Sequence, residues 1–239
     1  MPLTKRFLFL GDSHGDLPYV TSAIKRARLH GAEIIQLGDF GFIWPGVTRI
    51  KQLSKILVEH DVTLRFVDGN HEDHPQLRKH VKTCTGTMIA PRVVYQPRGS
   101  VHEYEGGTRF LFCGGAPSID EASRVVGKSW WPEEVITATE FELALSVTGP
   151  IHVLVTHDAP DYPPGFSAKG TLRYQALQKL SMQRVDALIK RHQPKLHVHG
   201  HWHTRATTRR GSTRVEALDC NQLDPGYLED SVLLWSIEQ

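Results

Sequence analysis

Three short apolar runs, each followed closely by Gly-Asp or Gly-Asn, confine this chain to a narrow set of folds. Phe7-Leu8-Phe9-Leu10 runs into Gly11-Asp12-Ser13-His14, Ile34-Ile35-Gln36-Leu37 into Gly38-Asp39, and the stretch from Val62 to Val67 into Asp68-Gly69-Asn70-His71. Such runs suit strands buried on both faces. Between them apolar residues recur at helical spacing. Leu17, Val20, Ile24 and Ala27 are closed by Gly31, with Asp16 placed as N-cap; Val47, Ile50, Leu53 and Leu57 follow. Strand, polar loop and helix in repetition predict a parallel sheet covered by helices. Folds of that kind place their ligands beyond the carboxyl ends of the strands. One Gly-Asp is ordinary turn chemistry. Three in succession mark a site.

The later chain changes character. Val93–Tyr95, Val101–Tyr104 and Arg109–Cys113 are short runs separated by Gly and Pro and predict antiparallel strands. Pro132 with Glu133 and Glu134 reads as a helix start. Ile151–Val155 is another buried strand, ending in Thr156-His157-Asp158, and 161–170 is an irregular loop. A helix from Leu172 leads to His192, a hairpin from Arg205 to Val215 turns at Arg210-Gly211, and Val232–Ile237 is the last strand. With no internal repeat and no linker, residues 1–239 are expected to form one domain.

Four of the fourteen histidines fall between His197 and His203, beside Gly200. Histidine is the commonest protein ligand for transition metals, so this run predicts a metal site. A formal net charge of +2 argues against a strongly electrostatic nucleic-acid binder. The three cysteines, Cys84, Cys113 and Cys220, are far apart and form no CxxC pair, so neither a thiolate zinc site nor a disulfide framework is suggested. A reducing, cytoplasmic setting is expected. Four apolar residues before Gly11 are too few for a signal-peptide core, and no apolar run approaches the roughly 18 residues that span a bilayer.

The polar groups at the strand ends are Asp12, His14, Asp39, Asn70, His71, His157, His201 and His203. Carboxylate, imidazole and one amide oxygen form a mixed ligand set suited to Mn, Fe, Zn or similar ions. They are too many for one tetrahedral site. Two ions sharing Asp39 would use them, and a pair roughly 3.5–4 Å apart clamps a phosphoryl group during in-line attack.

Gly11-Asp12-Ser13-His14, Gly38-Asp39, Gly69-Asn70-His71-Glu72, His157 and Gly200-His201-Trp202-His203 resemble, in order, the five blocks of the calcineurin-like metallophosphoesterase superfamily. Gly114-Gly115-Ala116 and Ser129-Trp130-Trp131-Pro132-Glu133 further resemble its small bacterial and phage members. The resemblance implies an α/β fold, a four-layer α/β/β/α sandwich of two mixed sheets flanked by helices. It implies that Asp12, His14 and His203 hold one divalent ion, that Asn70, His157 and His201 hold a second, and that Asp39 bridges them. Mn2+ is the expected metal, with Fe, Zn, Ni and Mg compatible. His71 would be the general acid or a phosphate-binding group, and a water or hydroxide between the ions the nucleophile. Protein phosphatases of the superfamily carry an acid and an Arg-Gly soon after the second block, and Phe40-Gly41-Phe42-Ile43-Trp44-Pro45 has neither. A small phosphoester or nucleotide substrate is therefore expected, a phosphodiester such as a 2',3'-cyclic nucleotide before a monoester. A non-catalytic, metal-stabilised binding module is the reading from a different class. No carboxylate partner for His71 is identifiable; Asp68 and Asp73 are the candidates.

Arg78 and Arg124 are candidate phosphate contacts, and Trp130, with Trp131 beside it, a candidate base-stacking residue. His197 and His199 share a strand face and are assigned a supporting role, His152 a core position, and His74 and His80 a helix surface. Trp202 is expected to point away from the metals. Arg205, Arg209, Arg210 and Arg214 form the most basic stretch, read as a solvated hairpin with RNA contact as the sharper alternative. No protein or membrane partner is indicated.

Overall fold

The computed structural model describes residues 5–81, 85–221 and 228–236. Cys84 and Ile237 lie outside the described residues. The first half holds β1 (Arg6–Leu10), α1 (Leu17–His30), β2 (Ala32–Gln36), α2 (Ile50–Glu59), β3 (Leu64–Phe66), α3 (His74–His80), β4 (Thr87–Ala90) and β5 (Val93–Tyr95). The second holds β6 (Ser100–Glu103), β7 (Arg109–Cys113), α4 (Ala138–Ser146), β8 (Val153–Thr156), α5 (Leu172–His192), β9 (Leu196–His199), β10 (Ala206–Arg210) and β11 (Thr213–Ala217). A single turn, α6 (Leu228–Ser231), leads into β12 (Val232–Ser236).

The strands form two mixed six-stranded sheets, ordered β12-β1-β2-β3-β5-β4 and β10-β11-β9-β8-β7-β6. In the first, β1, β2, β3 and β5 run parallel; in the second, β11, β9, β8 and β7 do. The layering follows from the two-residue period of strands. Phe7 and Phe9 join Phe110, Phe112, Val155 and Val198 in a core between the sheets. The alternate residues Leu8 and Leu10 face outwards onto α1 and α2, while Leu111 and Leu154 face α4 and α5. The result is α/β/β/α. Truncating a centre such as Phe110 to Ala would cost about 3–5 kcal/mol. Asp16 caps α1 by accepting from the Tyr19 N–H at 2.9 Å, and Gly31 ends it at φ 60°.

Three readings of the sequence are corrected. The run from Val93 to Cys113 is not an antiparallel set. β5 joins the first sheet parallel to β3 and β7 joins the second parallel to β8, because the turn through Gly99 carries the chain between sheets; β6 with β7, and β5 with the preceding β4, are the antiparallel pairs of this stretch. Pro132 begins only a single 3-10 turn, and the helix starts at Ala138, where Thr137 and Glu140 form a capping box. His74 is not on a helix surface but 2% exposed, folded inwards at the first turn of α3. Among the described residues no helix is long and apolar enough to cross a membrane.

Candidate metal centre

Each ligand named from the sequence follows a parallel strand: Asp12 and His14 follow β1, Asp39 β2, Asn70 β3, His157 β8, and His201 and His203 β9. The loops are unusually constrained. His14, Asp39, His201 and His203 have φ of 43°, 49°, 67° and 45°. The left-handed region costs a residue with a Cβ about 1–2 kcal/mol, and such outliers collect at functional sites. Cross-loop bonds hold the strain. Ser13 N and His14 N donate to Asp39 O at 3.1 and 2.8 Å, and Phe40 N donates to the buried Glu72 at 2.6 Å. Gly69 and Gly200 serve by their lack of a side chain. A Cβ on Gly69 would fall on the Asp39 carboxylate, and one on Gly200 on that of Asp12.

The side chains converge on Asp39. Its Oδ1 lies 3.3 Å from His157 Nε2, and its Oδ2 4.0 Å from His14 Nδ1. Asp12 Oδ2 is 3.1 Å from His203 Nε2, which is 3.2 Å from His14 Nε2. His157 Nε2 also lies 3.1 Å from Asn70 Oδ1, and the His157 and His201 ring centroids are 5.0 Å apart. His157 Nδ1 donates to Leu37 O at 2.7 Å, which leaves Nε2 to face the site.

Charge argues for cations here. Asp12 and Asp39 are buried, and their ion pairs among the described residues are with histidines alone. Burial pulls the His157 pKa down, but Asp39 and Asp12 overcome it and raise it to about 9. The hydrogen bonds to Asp12 and Cys220 raise His203 to about 11. Burial lowers His201 to about 4, which keeps its nitrogen lone pair free. Two imidazole nitrogens aimed at each other across 3.2 Å, over two buried carboxylates, form a donor set that fits divalent ions. Asp12, His14 and His203 bring their ligand atoms within 4.8 Å of one another, and so do Asp12, Asp39 and His157.

His71 stands beside this group, its backbone N–H donating to Asp39 Oδ1 at 2.7 Å. Arg124 comes to it, Nη2 to Nε2 at 2.6 Å, and is itself paired with Asp120 at 2.8 Å. Burial lowers the His71 pKa; Asp39 opposes this and Arg124 adds to it. Neither carboxylate candidate reaches the His71 ring. Asp73 caps α3 through Gln76 N, and Asp68 is bound by Arg98 and Tyr95. Arg78 is not brought to the site; it pairs with Glu140 at 3.0 Å. Trp130 is buried and is not among the residues lining the cleft onto which His71 opens. Trp44, unmarked by the sequence, lies 5.9 Å from His71, ring to ring, and packs on Trp131.

Behind the ligands, Asn70 Nδ2 donates to Ser118 Oγ at 3.0 Å, and Ser118 donates to buried Glu134 at 2.7 Å from both its hydroxyl and its backbone N–H. This turns the Asn70 amide oxygen towards His157. His197 and His199 lie on the outward face of β9, with His197 against Thr156 Oγ1 at 2.7 Å and no direct part in the ligand group. His152 precedes β8 and accepts from Arg109 N at 3.0 Å. Trp202 does not point away. With Tyr162, Phe166 and Ile119 it lines the same cleft of about 510 Å³ as Asp39, His71 and His201. In the basic hairpin, Arg205 and Arg214 pair with Glu216, and Arg210 pairs with Asp161 at 2.7 Å.

A family model described as calcineurin-like phosphoesterase matches residues 5–205. Among solved structures the chain is similar to TT1561 of Thermus thermophilus, at 19% identity over 98% of each chain with a TM-score of 0.55. It is also similar to the phosphopantetheinyl hydrolase of Mycobacterium tuberculosis, at 16% identity over 96% of each chain with a TM-score of 0.53. A third is GAP50, the anchor in the inner membrane complex of Plasmodium, at 12% identity over 98% of this chain and 81% of that one, TM-score 0.55. At such identities the likeness is one of fold. None of the curated proteins compared matches the chain.

Proposed function

The chain belongs to the calcineurin-like phosphoesterases, and from that membership we propose that it hydrolyses small phosphodiesters, nucleotide esters among them, with two divalent ions held about Asp39. The observation that carries this reading is the division of that one carboxylate, Oδ1 towards His157 and Oδ2 towards His14. Asp12, His14 and His203 would hold one ion, and Asn70, His157 and His201 the other, with Mn2+ the expected metal. When bound, the ions supply the charge that polarises a phosphoryl group and acidifies a water. The chain supplies the rest. A guanidinium can only donate, so Arg124 holds His71 by the lone pair of Nε2. A phosphoryl oxygen that draws Arg124 away frees that nitrogen to take up a proton from solvent and pass it to the leaving oxygen.

One observation favours a phosphomonoesterase instead: Arg124 beside His71 offers a cationic donor, which a terminal phosphate dianion would use. The test is a panel of bis(p-nitrophenyl) phosphate, p-nitrophenyl phosphate, 2',3'-cyclic nucleotides and nucleoside monophosphates, run with Mn, Ni, Zn and Mg and with a chelator control. Preference for the diesters, abolished by chelation, is expected. Cleavage of monoesters alone reverses the assignment, and cleavage of none removes it.

A further inference from the structure

The cleft continues past the ligands into a bay whose walls have no part in the phosphoryl chemistry. Trp202 stands between His201 and His203 in the chain, its ring centroid 5.6 Å from that of His201. Its Nε1 donates to Asp158 at 3.0 Å, and the buried Asp158 accepts from Gln178 Nε2 at 2.8 Å, which fixes the plane of the indole. Tyr162 and Phe166 meet that ring edge to face, at 5.5 Å and 83° and at 5.2 Å and 80°. Phe166 is 38% exposed, and Ile119, lining the same cleft, 53%. Single exposed apolar side chains need no account. Trp202, Tyr162, Phe166 and Tyr174 with an isoleucine, sharing one cavity with Asp39, His71 and His201, do. The loop carrying Tyr162 and Phe166 is tied at its start, where Asp161 pairs with Arg210, and Arg173 just beyond it pairs with Glu121 at 2.8 Å. Lys169 adds a positive charge to the lining.

We infer that this bay is the subsite for a flat heteroaromatic ring joined to the scissile phosphoryl group, the base of a nucleotide ester. The inference rests on the phosphoesterase reading above and names the part of the substrate that Trp202, Tyr162 and Phe166 receive. Rings set at right angles to a fixed indole offer faces as well as edges, and stacking on them accepts any base with a π-face. The reach is short, since Trp202 neighbours a residue of the metal group. It also moves the base away from Trp130, which does not line the cleft.

The test compares wild type with Phe166→Ala and Phe166→Tyr on 2',3'-cyclic AMP and on an alkyl diester, glycerophosphocholine, both with Mn. The ratio of kcat/KM for the nucleotide to that for the alkyl ester is expected to fall about 5–150-fold in Phe166→Ala, the loss lying in KM, and to recover in Phe166→Tyr. A second measurement follows tryptophan fluorescence as adenosine is added, a probe with the ring and no phosphate. Wild type should show saturable quenching, weakened in Phe166→Ala. An unchanged ratio, or no quenching by adenosine, overturns the bay. If wild type cleaves neither ester, the phosphoesterase reading fails, and the adenosine titration alone decides the subsite.

Discussion

Arg124 Nη2 lies 2.6 Å from His71 Nε2, and because arginine has no acceptor, His71 is the acceptor of that bond. The nitrogen that faces Arg124 therefore carries no proton while the contact lasts. His71 is thus held with Nε2 bare by a cation that is itself anchored to Asp120.

Replacing each partner separates their roles. His71→Ala is expected to lower kcat about 10²–10⁴-fold while the metal content measured by plasma emission stays at the wild-type level. Arg124→Ala should cost about 10²–10³-fold, comparable to losing one preorganised donor, with Arg124→Lys recovering only part of it. Unaltered turnover in both variants would exclude this pair from the chemistry.

Ser118 makes a second, structural prediction. It accepts from Asn70 Nδ2 and donates to Glu134, and it holds the nitrogen end of the amide whose oxygen meets His157 Nε2 at 3.1 Å. Ser118→Ala removes the partner of the amide nitrogen and loosens the orientation of the amide. Affinity for Mn, read by competition with a chromogenic chelator, is expected to fall about 10–100-fold, the usual loss when a partner of a ligand is removed. An unchanged dissociation constant would mean that packing alone orients Asn70.

Much of the candidate site was legible in the sequence because its groups are local to strand ends and most of them stand beside a glycine. The reason for the glycine was not legible. Gly69 and Gly200 leave room for the carboxylates of Asp39 and Asp12, residues far away in the chain. Distance in sequence also hid the part of Glu72, whose carboxylate braces Phe40, of Ser118, which holds Asn70, and of Asp120, which anchors Arg124 beside His71. Arg78 and Arg124 looked alike as isolated cations; only packing shows that Glu140 takes one and His71 receives the other. Trp202 misled for the reason that alternation is a strand rule. It lies past the end of β9, between two residues of positive φ, where facing is no longer set by the two-residue period.

Metal uptake should release protons. Asp39 and Asp12, overcoming burial, raise His157 to about 9, and Asp12 and Cys220 raise His203 to about 11, so both histidines carry a proton at pH 7 in the metal-free protein. An ion that takes those nitrogens expels the protons. Calorimetric titration of Mn at pH 7 in two buffers of different ionisation enthalpy should give different apparent heats. Identical heats would show that the histidines were already neutral. The sign for stability follows. A folded-state pKa raised above the unfolded value of about 6.5 stabilises fully below that value and is lost as pH rises through the folded pKa. Metal-free protein should therefore weaken from about pH 6.5 upwards, through 9 for His157 and through 11 for His203, and metal-loaded protein should not.

His74 gives the opposite pH dependence at the acid end. Its ring is 2% exposed, with Nδ1 3.8 Å from Asp68 and Nε2 without a hydrogen-bond partner among the described residues. Burial lowers its pKa to about 4; Asp68 opposes this, and Arg98 and Arg78 add to it. Because the folded value lies below the unfolded one of about 6.5, the unfolded chain takes up the proton first as pH falls. Stability from this group is complete above about pH 6.5 and is lost between there and pH 4, by roughly 1.4 kcal/mol per unit, or about 3 kcal/mol in all. His74→Leu removes the titrating ring while filling much of its volume. Urea unfolding at pH 7, 6, 5 and 4 should show the wild type losing stability more steeply than the variant, by about that amount. Parallel curves would mean that His74 takes up its proton as readily in the folded protein as in the unfolded chain.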